Sequence, residues 1–166
     1  MSTAEFVDLS TPPAKALAVV AHPDDIDFGM AGAIAALVAA GTEVVYAIAT
    51  SGEAGPPEDM DRLELATLRE KEQLAAAEAV GVSDVRFLGQ PDGHLVADLA
   101  LRRVITAVIR DVKPDLVLQQ SPERRFDSIY GSHPDHLAVA EATISCFDAP
   151  SILRAILFLR PNSLRA

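Results

Sequence analysis

A single cysteine, Cys146, stands in a chain of 166 residues, so no disulfide can form within it and no zinc site of several thiolates is possible. Any metal must be held by histidine and carboxylate, and a reducing, cytoplasmic setting is the expectation. Basic residues are short as well. Fourteen Lys and Arg against 24 Asp and Glu leave a formal charge of −10, which opposes binding of nucleic acid through a general basic face. No long apolar run occurs: the longest uncharged stretch, 28–42, holds three glycines and falls short of the ~20 apolar residues that a bilayer span needs. Glu5 and Asp8 lie where a secretory leader would be basic. Neither a membrane partner nor a leader is expected. Internal repeats, low-complexity tracts and linkers are missing too, and no glycine-rich phosphate loop follows the first strand, which removes the main requirement for a dinucleotide site.

What is present is an ordinary globular composition, 49% hydrophobic and 23% charged, which predicts one folded domain over 1–166. Short apolar or β-branched runs alternate with helical patterns, the signature of βα units around a parallel sheet. Strands are expected at 16–21, 44–49, 85–88, 116–119 and 155–159. A first helix is expected over about 28–40, apolar all round and therefore buried, and a second over about 61–80. In the second, a helical wheel puts Arg69 and Glu72 inside the apolar stripe of Leu65, Leu68, Ala76 and Ala79. The third helix is the clearest, with Leu101, Val104, Ile105, Val108, Ile109 and Val112 on one face, Asp98 as its N-cap and Pro114 beyond its end. A fourth begins near Pro134, a residue suited to the first helical turn. The fold class is α/β, a doubly wound and mostly parallel sheet of order 3-2-1-4-5 with helices on both faces.

Three of the four histidines sit in two matching tripeptides, His22-Pro23-Asp24 followed by Asp25, and His133-Pro134-Asp135 followed by His136. The first follows strand 1 and the second follows strand 4. In a 3-2-1-4-5 sheet these strands are neighbours and the chain reverses between them, so the crevice at their carboxyl ends is the expected ligand site. Each proline restricts the histidine before it to extended backbone. His22 with Asp25, and His133 with His136, have the i, i+3 spacing that lets two side chains reach one point. Two imidazoles and a carboxylate with an open position form the ligand set of a hydrolytic zinc centre, which acidifies bound water toward pKa ~7. The same face also suits ferrous redox chemistry, and the residues alone do not choose between Zn2+ and Fe2+.

Ordinary structural roles compete with this reading. Asp24, Asp25 and Asp27 could cap the first helix, and His133 and His136 could lie on the surface of the fourth. Elsewhere, Asp92 and Glu53 follow strands 3 and 2 at the same sheet edge and could meet a polar substrate, although Asp92 also suits a turn with Gly93. Arg69 and Glu72 could be a simple ion pair. His94 fits an exposed turn, and Tyr130 fits either packing or polarisation of a carbonyl.

Taken together, Ala21-His22-Pro23-Asp24-Asp25, Thr50-Ser51-Gly52-Glu53, Arg69-Glu70-Lys71-Glu72, Leu88-Gly89-Gln90-Pro91-Asp92-Gly93 and Ser132-His133-Pro134-Asp135-His136 resemble the LmbE-like, or PIG-L, zinc-dependent N-deacetylases. The resemblance covers 15–142. It implies a Rossmann-like fold and hydrolysis of an acetamide or related amide, commonly on an N-acetylglucosamine unit, with an amidated sugar or thiol conjugate as substrate. By motif, His22, Asp25 and His136 would bind zinc, Asp24 would be the general base, and His133 would stabilise the tetrahedral intermediate or help the amine leave. Arg69, Asp92 and Glu53 would hold sugar hydroxyls. Two departures stand out: Ile26-Asp27 replaces the Glu that often follows the second Asp, and the chain ends sooner after the second histidine motif than family domains do. From the short end come two expectations, a homo-oligomer that covers the exposed apolar surface and, as the alternative function, an inactive metal- or sugar-binding module.

Overall fold

Five strands form one sheet in the computed structural model, which describes residues 10–124, 126 and 132–146 and the backbone of 155–159. They are β1 (Lys15–Val20), β2 (Glu43–Ile48), β3 (Asp84–Phe87), β4 (Leu116–Gln120) and β5 (Ala155–Leu159), in the order β3-β2-β1-β4-β5. The expected order holds, and every pair is parallel rather than most of them. β1 lies in the middle, with Ala16 opposite both Val44 and Leu116.

Because strand side chains alternate, β1 feeds two cores. Leu17 and Val19 pack with Ile105, Ile109 and Val139, from α4 (Leu99–Val112) and α5 (Pro134–Ile144). Ala16, Ala18 and Val20 face the other side, against Ile26, Met30, Ile34, Leu37 and Ala77. A fully buried Leu17 contributes about 1.5–3 kcal/mol relative to an exposed one. α4 forms as its periodicity predicts, with the Asp98 carboxylate accepting from Leu101 N–H at 2.9 Å. Pro134 occupies the first turn of α5, and His133 is its N-cap.

Two expectations are corrected. The helix expected over 28–40 is two helices, α1 (Asp25–Gly29) and α2 (Ala31–Ala39), broken at Met30, whose φ of −145° leaves helical geometry. The break turns Ile26, Met30 and Ile34 into one core, while Phe28, Gly32 and Ala33 stay exposed, so the segment is not buried all round. In α3 (Arg62–Ala79), Glu72 and Leu68 are exposed, and the inward line is Leu65, Gln73 and Ala77, with Arg69 half-buried on it. These four residues share one i, i+4 row. The helix is rotated so that two long polar side chains, rather than the largest apolar ones, reach inward. Among the described residues no helix is long and apolar enough to cross a membrane.

Candidate metal centre

His22 leaves the end of β1, and α5 starts after the loop that follows β4, so adjacency of these strands brings residues over a hundred positions apart to one place. His133, ahead of Pro134, is extended at φ −55°, ψ 134°. Asp24 is left-handed at φ 85° and opens α1 without a side-chain cap; its carboxylate goes to Arg69, whereas that of Asp25 goes to His136.

The Asp25 side chain is 5% exposed and sits between two imidazoles. Its Oδ1 is 2.9 Å from His136 Nε2, its Oδ2 is 3.5 Å from His22 Nδ1, and the two ring nitrogens are 3.2 Å apart. A tetrahedral ion with ligand bonds of about 2.0–2.1 Å needs donors about 3.3 Å apart; the two ring nitrogens meet that spacing and each lies near a different oxygen of Asp25, so the three side chains converge on one small region where a zinc-sized cation can take both nitrogens and one of those oxygens. His133 stands at the rim, its ring centroid 4.9 Å from that of His22 and 5.0 Å from that of His136. One nitrogen from each of the three histidines also falls within 4.8 Å of the others. However, His133 Nδ1 already accepts from Asp135 N–H at 3.2 Å, which leaves Nε2 as its outward atom.

Burial and nearby charge act in opposite senses on these groups. Burial would lower His22, but the hydrogen bond to Asp25 and the charges of Asp25 and Asp92 outweigh it and raise the imidazole to about 9. Burial would raise Asp25, yet hydrogen bonds from His136 and His22 hold it far below the usual carboxylate range. His133 is lowered by burial and then by the charges of His22 and His136.

A second layer fixes the ring of His22. Its Nε2 lies 3.0 Å from Asp92 Oδ1 and 3.2 Å from Asp135 Oδ2, so two carboxylates hold the proton there and Nδ1 faces Asp25 and His136. Asp135, 1% exposed, also accepts from Gly93 N–H at 2.8 Å and Leu95 N–H at 3.2 Å. Asp92 Oδ2 accepts from Ala54 N–H, and Glu53 accepts in return from Asp92 N–H, both at 2.9 Å. Asp92 and Glu53 therefore tie the loops after β2 and β3 together, and both oxygens of Asp92 are occupied within the protein.

Asp24 has its own clamp. Arg69 Nη2 donates to Asp24 Oδ2 at 2.9 Å and to Pro23 O at 3.3 Å, while Nη1 donates to Gly52 O at 2.9 Å. Three of the five guanidinium N–H groups are thus in use. Next to Arg69, Glu70 accepts from the Ser51 hydroxyl. One turn further along α3, Gln73 Oε1 accepts from Asp24 N–H at 2.7 Å. Burial is the largest influence on the Asp24 carboxyl and raises it, Arg69 pulls it back, and the charge of Asp25 adds to the rise.

The structure thus gathers His22, Asp24, Asp25, Arg69, Asp92, His133 and His136, with Glu53 one contact away. Glu72 and His94 are exposed, and Tyr130 lies outside the described residues. Asp135 and Gln73 were missed from the sequence. Asp135 repeats the place of Asp24 within a His-Pro-Asp tripeptide, and Gln73 falls one i+4 step beyond Arg69, so position held a signal for both.

A doubly wound parallel sheet with a His/Asp cluster at its switch point defines the class of protein. Within that class the chain belongs to the PIG-L family, whose model, described as GlcNAc-PI de-N-acetylase, matches residues 17–147. It is 35% identical over 164 residues to a 1D-myo-inositol 2-acetamido-2-deoxy-alpha-D-glucopyranoside deacetylase of Kineococcus radiotolerans, covering 80% of this chain and 44% of that protein. Among solved structures it is similar to N,N'-diacetylchitobiose deacetylase from Pyrococcus horikoshii, at a TM-score of 0.76 and 33% identity over 84% of this chain and 52% of that one. It is also similar to 4-carboxy-2-hydroxymuconate hydratase from Pseudomonas putida KT2440, at a TM-score of 0.69 and 26% identity over 80% of this chain and 55% of that one. The chain spans about half the length of the curated relatives it matches, from 44% to 59%.

Proposed function

We propose that this chain is a metal-dependent hydrolase that removes an acetyl or related acyl group from an amide nitrogen on an N-acetylglucosamine-type conjugate. The observation that carries the reading is the convergence of His22 Nδ1, His136 Nε2 and the Asp25 carboxylate, with the His133 ring beside both imidazoles and Asp24 next in the chain. His22, Asp25 and His136 would hold the cation. When bound there, zinc or ferrous ion supplies Lewis acidity toward water and toward an amide carbonyl. Asp24, its carboxyl raised by burial, accepts the proton of the attacking water. His133 Nε2 would donate a hydrogen bond to the oxygen on which negative charge develops, and the proton taken up by Asp24 would pass to the amine nitrogen as the C–N bond breaks, leaving the free amine and the carboxylate. Arg69 holds Asp24 in register and keeps two N–H groups for a sugar hydroxyl, while Glu53 and Asp92 shape the pocket wall.

The deacetylase relatives point to a small amidated sugar as substrate, whereas similarity to a hydratase favours a second reading, addition of water to a carbon–carbon double bond. Elemental analysis of protein purified without added metal, paired with an amine-release assay on N-acetylglucosamine conjugates, separates the two. We expect about one equivalent of metal per chain and amine release that stops on chelation. Metal-replete protein that releases no amine from any such conjugate would overturn the hydrolase reading.

A further inference from the structure

We infer that Gln73 is a positioning residue, whose buried carboxamide holds Asp24 in the left-handed conformation from which α1 starts and carries Asp25 to the centre. Gln73 is 2% exposed in the middle of α3, an unusual place for a primary amide. Its Oε1 takes the Asp24 N–H at 2.7 Å, the shortest backbone contact given to any side chain around the centre. Only the oxygen of the amide can accept that proton, so its orientation is set by Asp24 and Nε2 must face the other way. Nε2 is buried without a hydrogen-bond partner, so the amide's one hydrogen bond is with Asp24.

The backbone shows what this amide is for. Asp24 and Lys113 are the non-glycine residues with positive φ among the described residues. A side chain in that region is strained and persists only where its surroundings over-determine it. Asp24 is so determined from both ends: Arg69 grips its carboxylate and Gln73, one turn later on the same helix face, grips its N–H. Were Asp24 to relax to extended backbone, the chain would leave β1 in another direction and α1 would not begin at Asp25, so the Asp25 carboxylate would no longer be carried to His136 while Asp24 stays on Arg69. Gln73 therefore acts on the chemistry through the backbone and needs no contact with substrate.

The catalytic half of this inference rests on the proposed hydrolase reading; the structural half does not. Two variants and two measurements separate them. Gln73→Met keeps length and volume but cannot accept a hydrogen bond, whereas Gln73→Glu keeps an oxygen at the same reach. Hydrogen exchange followed by NMR should show the Asp24 amide protected in the parent, at least tenfold less protected in Gln73→Met, and recovered in Gln73→Glu, with the amides of β1 and β2 unchanged throughout. In the amide-hydrolysis assay, Gln73→Met should lose at least tenfold in kcat with KM within about twofold, and Gln73→Glu should regain part of it. Equal Asp24 protection in parent and Gln73→Met overturns the inference, even if the parent hydrolyses nothing. Loss of protection spread evenly over the sheet in both variants overturns it too, because Gln73 would then be a core residue and no more. A parent without hydrolase activity, but with Asp24 protection that depends on Gln73, overturns the functional reading alone.

Discussion

Asp24 and Asp25 are chemically identical neighbours that the fold sends to different tasks. The side chain of Asp25 is almost fully enclosed by His22 and His136, while that of Asp24 is 43% exposed and paired with Arg69. Asparagine keeps the shape of either residue but can neither accept a proton nor bring a negative charge to a cation. Asp24→Asn should retain near-stoichiometric metal while kcat falls by about 10²–10⁴, the usual cost of losing a general base. Asp25→Asn should lose metal first, as should His22→Ala and His136→Ala, since each removes one of three donors. Metal content by elemental analysis and kcat from amine release check both expectations. Asp24→Asn working at the parental rate, or losing metal as readily as Asp25→Asn, would remove the assigned roles.

At the scale of elements, the β2–α3 loop and α3 itself meet through one glycine. Gly52 has φ +69°, and a Cβ there would lie 2.7 Å from Arg69 Cζ, so an added methyl group must push the guanidinium off Asp24. Gly52→Ala should cost about 1–2 kcal/mol of stability for the left-handed alanine. It should also mimic Arg69→Ala kinetically, with kcat falling more than KM rises, because both release Asp24 as well as taking the guanidinium from a sugar hydroxyl. If KM rises instead with kcat unchanged, the substrate is the main partner of Arg69. On the far side of the sheet, Arg86 of β3 bonds Asp84 and reaches Asp111 on α4. The hydrogen bond from Arg86 lowers Asp84 below its ordinary 3.8, so the pair stabilises the fold above about pH 4 and that contribution fades as pH falls through the depressed value. The site is largely exposed. Asp84→Asn should therefore cost only about 0.2–1 kcal/mol near neutral pH, and urea titrations of parent and variant should converge in strong acid.

For the whole molecule, a cation bound only by the folded state ties stability to the metal. Saturation at about 100-fold over Kd adds about 2.7 kcal/mol, which for a domain of this size raises Tm by about 5–10 °C. Chelated protein should melt lower by that amount and recover on adding zinc; scanning calorimetry with and without chelator measures it, and an unchanged Tm would mean that the ligand triangle holds no ion. Phe126, Phe28 and Leu63 are the most exposed large apolar side chains among the described residues, at 92%, 83% and 77%, and the homo-oligomer expected from the sequence would bury such residues. Sedimentation at micromolar concentration should then show a species larger than one chain, and Phe28→Ser with Leu63→Ser should shift it toward the monomer.

The sheet order was legible because alternating apolar runs and helical periods leave few topologies open, and because two proline-flanked histidine motifs make sense together only if strands 1 and 4 are adjacent. Much of the candidate site was legible for the same reason: His22, Asp25, His133 and His136 carry their chemistry in residue type and spacing. The rotation of α3 was not. A helical wheel does put Arg69 inside, but it ranks faces by apolar content and so places Glu72 beside it, whereas it is Gln73 that turns inward with Arg69, to satisfy an N–H and a carboxylate that lie 45 or more residues away in sequence. The break at Met30 escaped likewise, since nothing local distinguishes one apolar helix from two that share a core.

What the sequence determined by itself is therefore the set of elements, their order and the donors that leave the strand ends, all of which follow from local period and composition. What only the tertiary structure decided is which carboxylate does what. Asp24, Asp25, Asp92 and Asp135 are one side chain in four environments. Contact with Arg69, with two imidazoles, with Ala54 N–H or with the amides of Gly93 and Leu95 arises only when distant segments close around the same few ångströms.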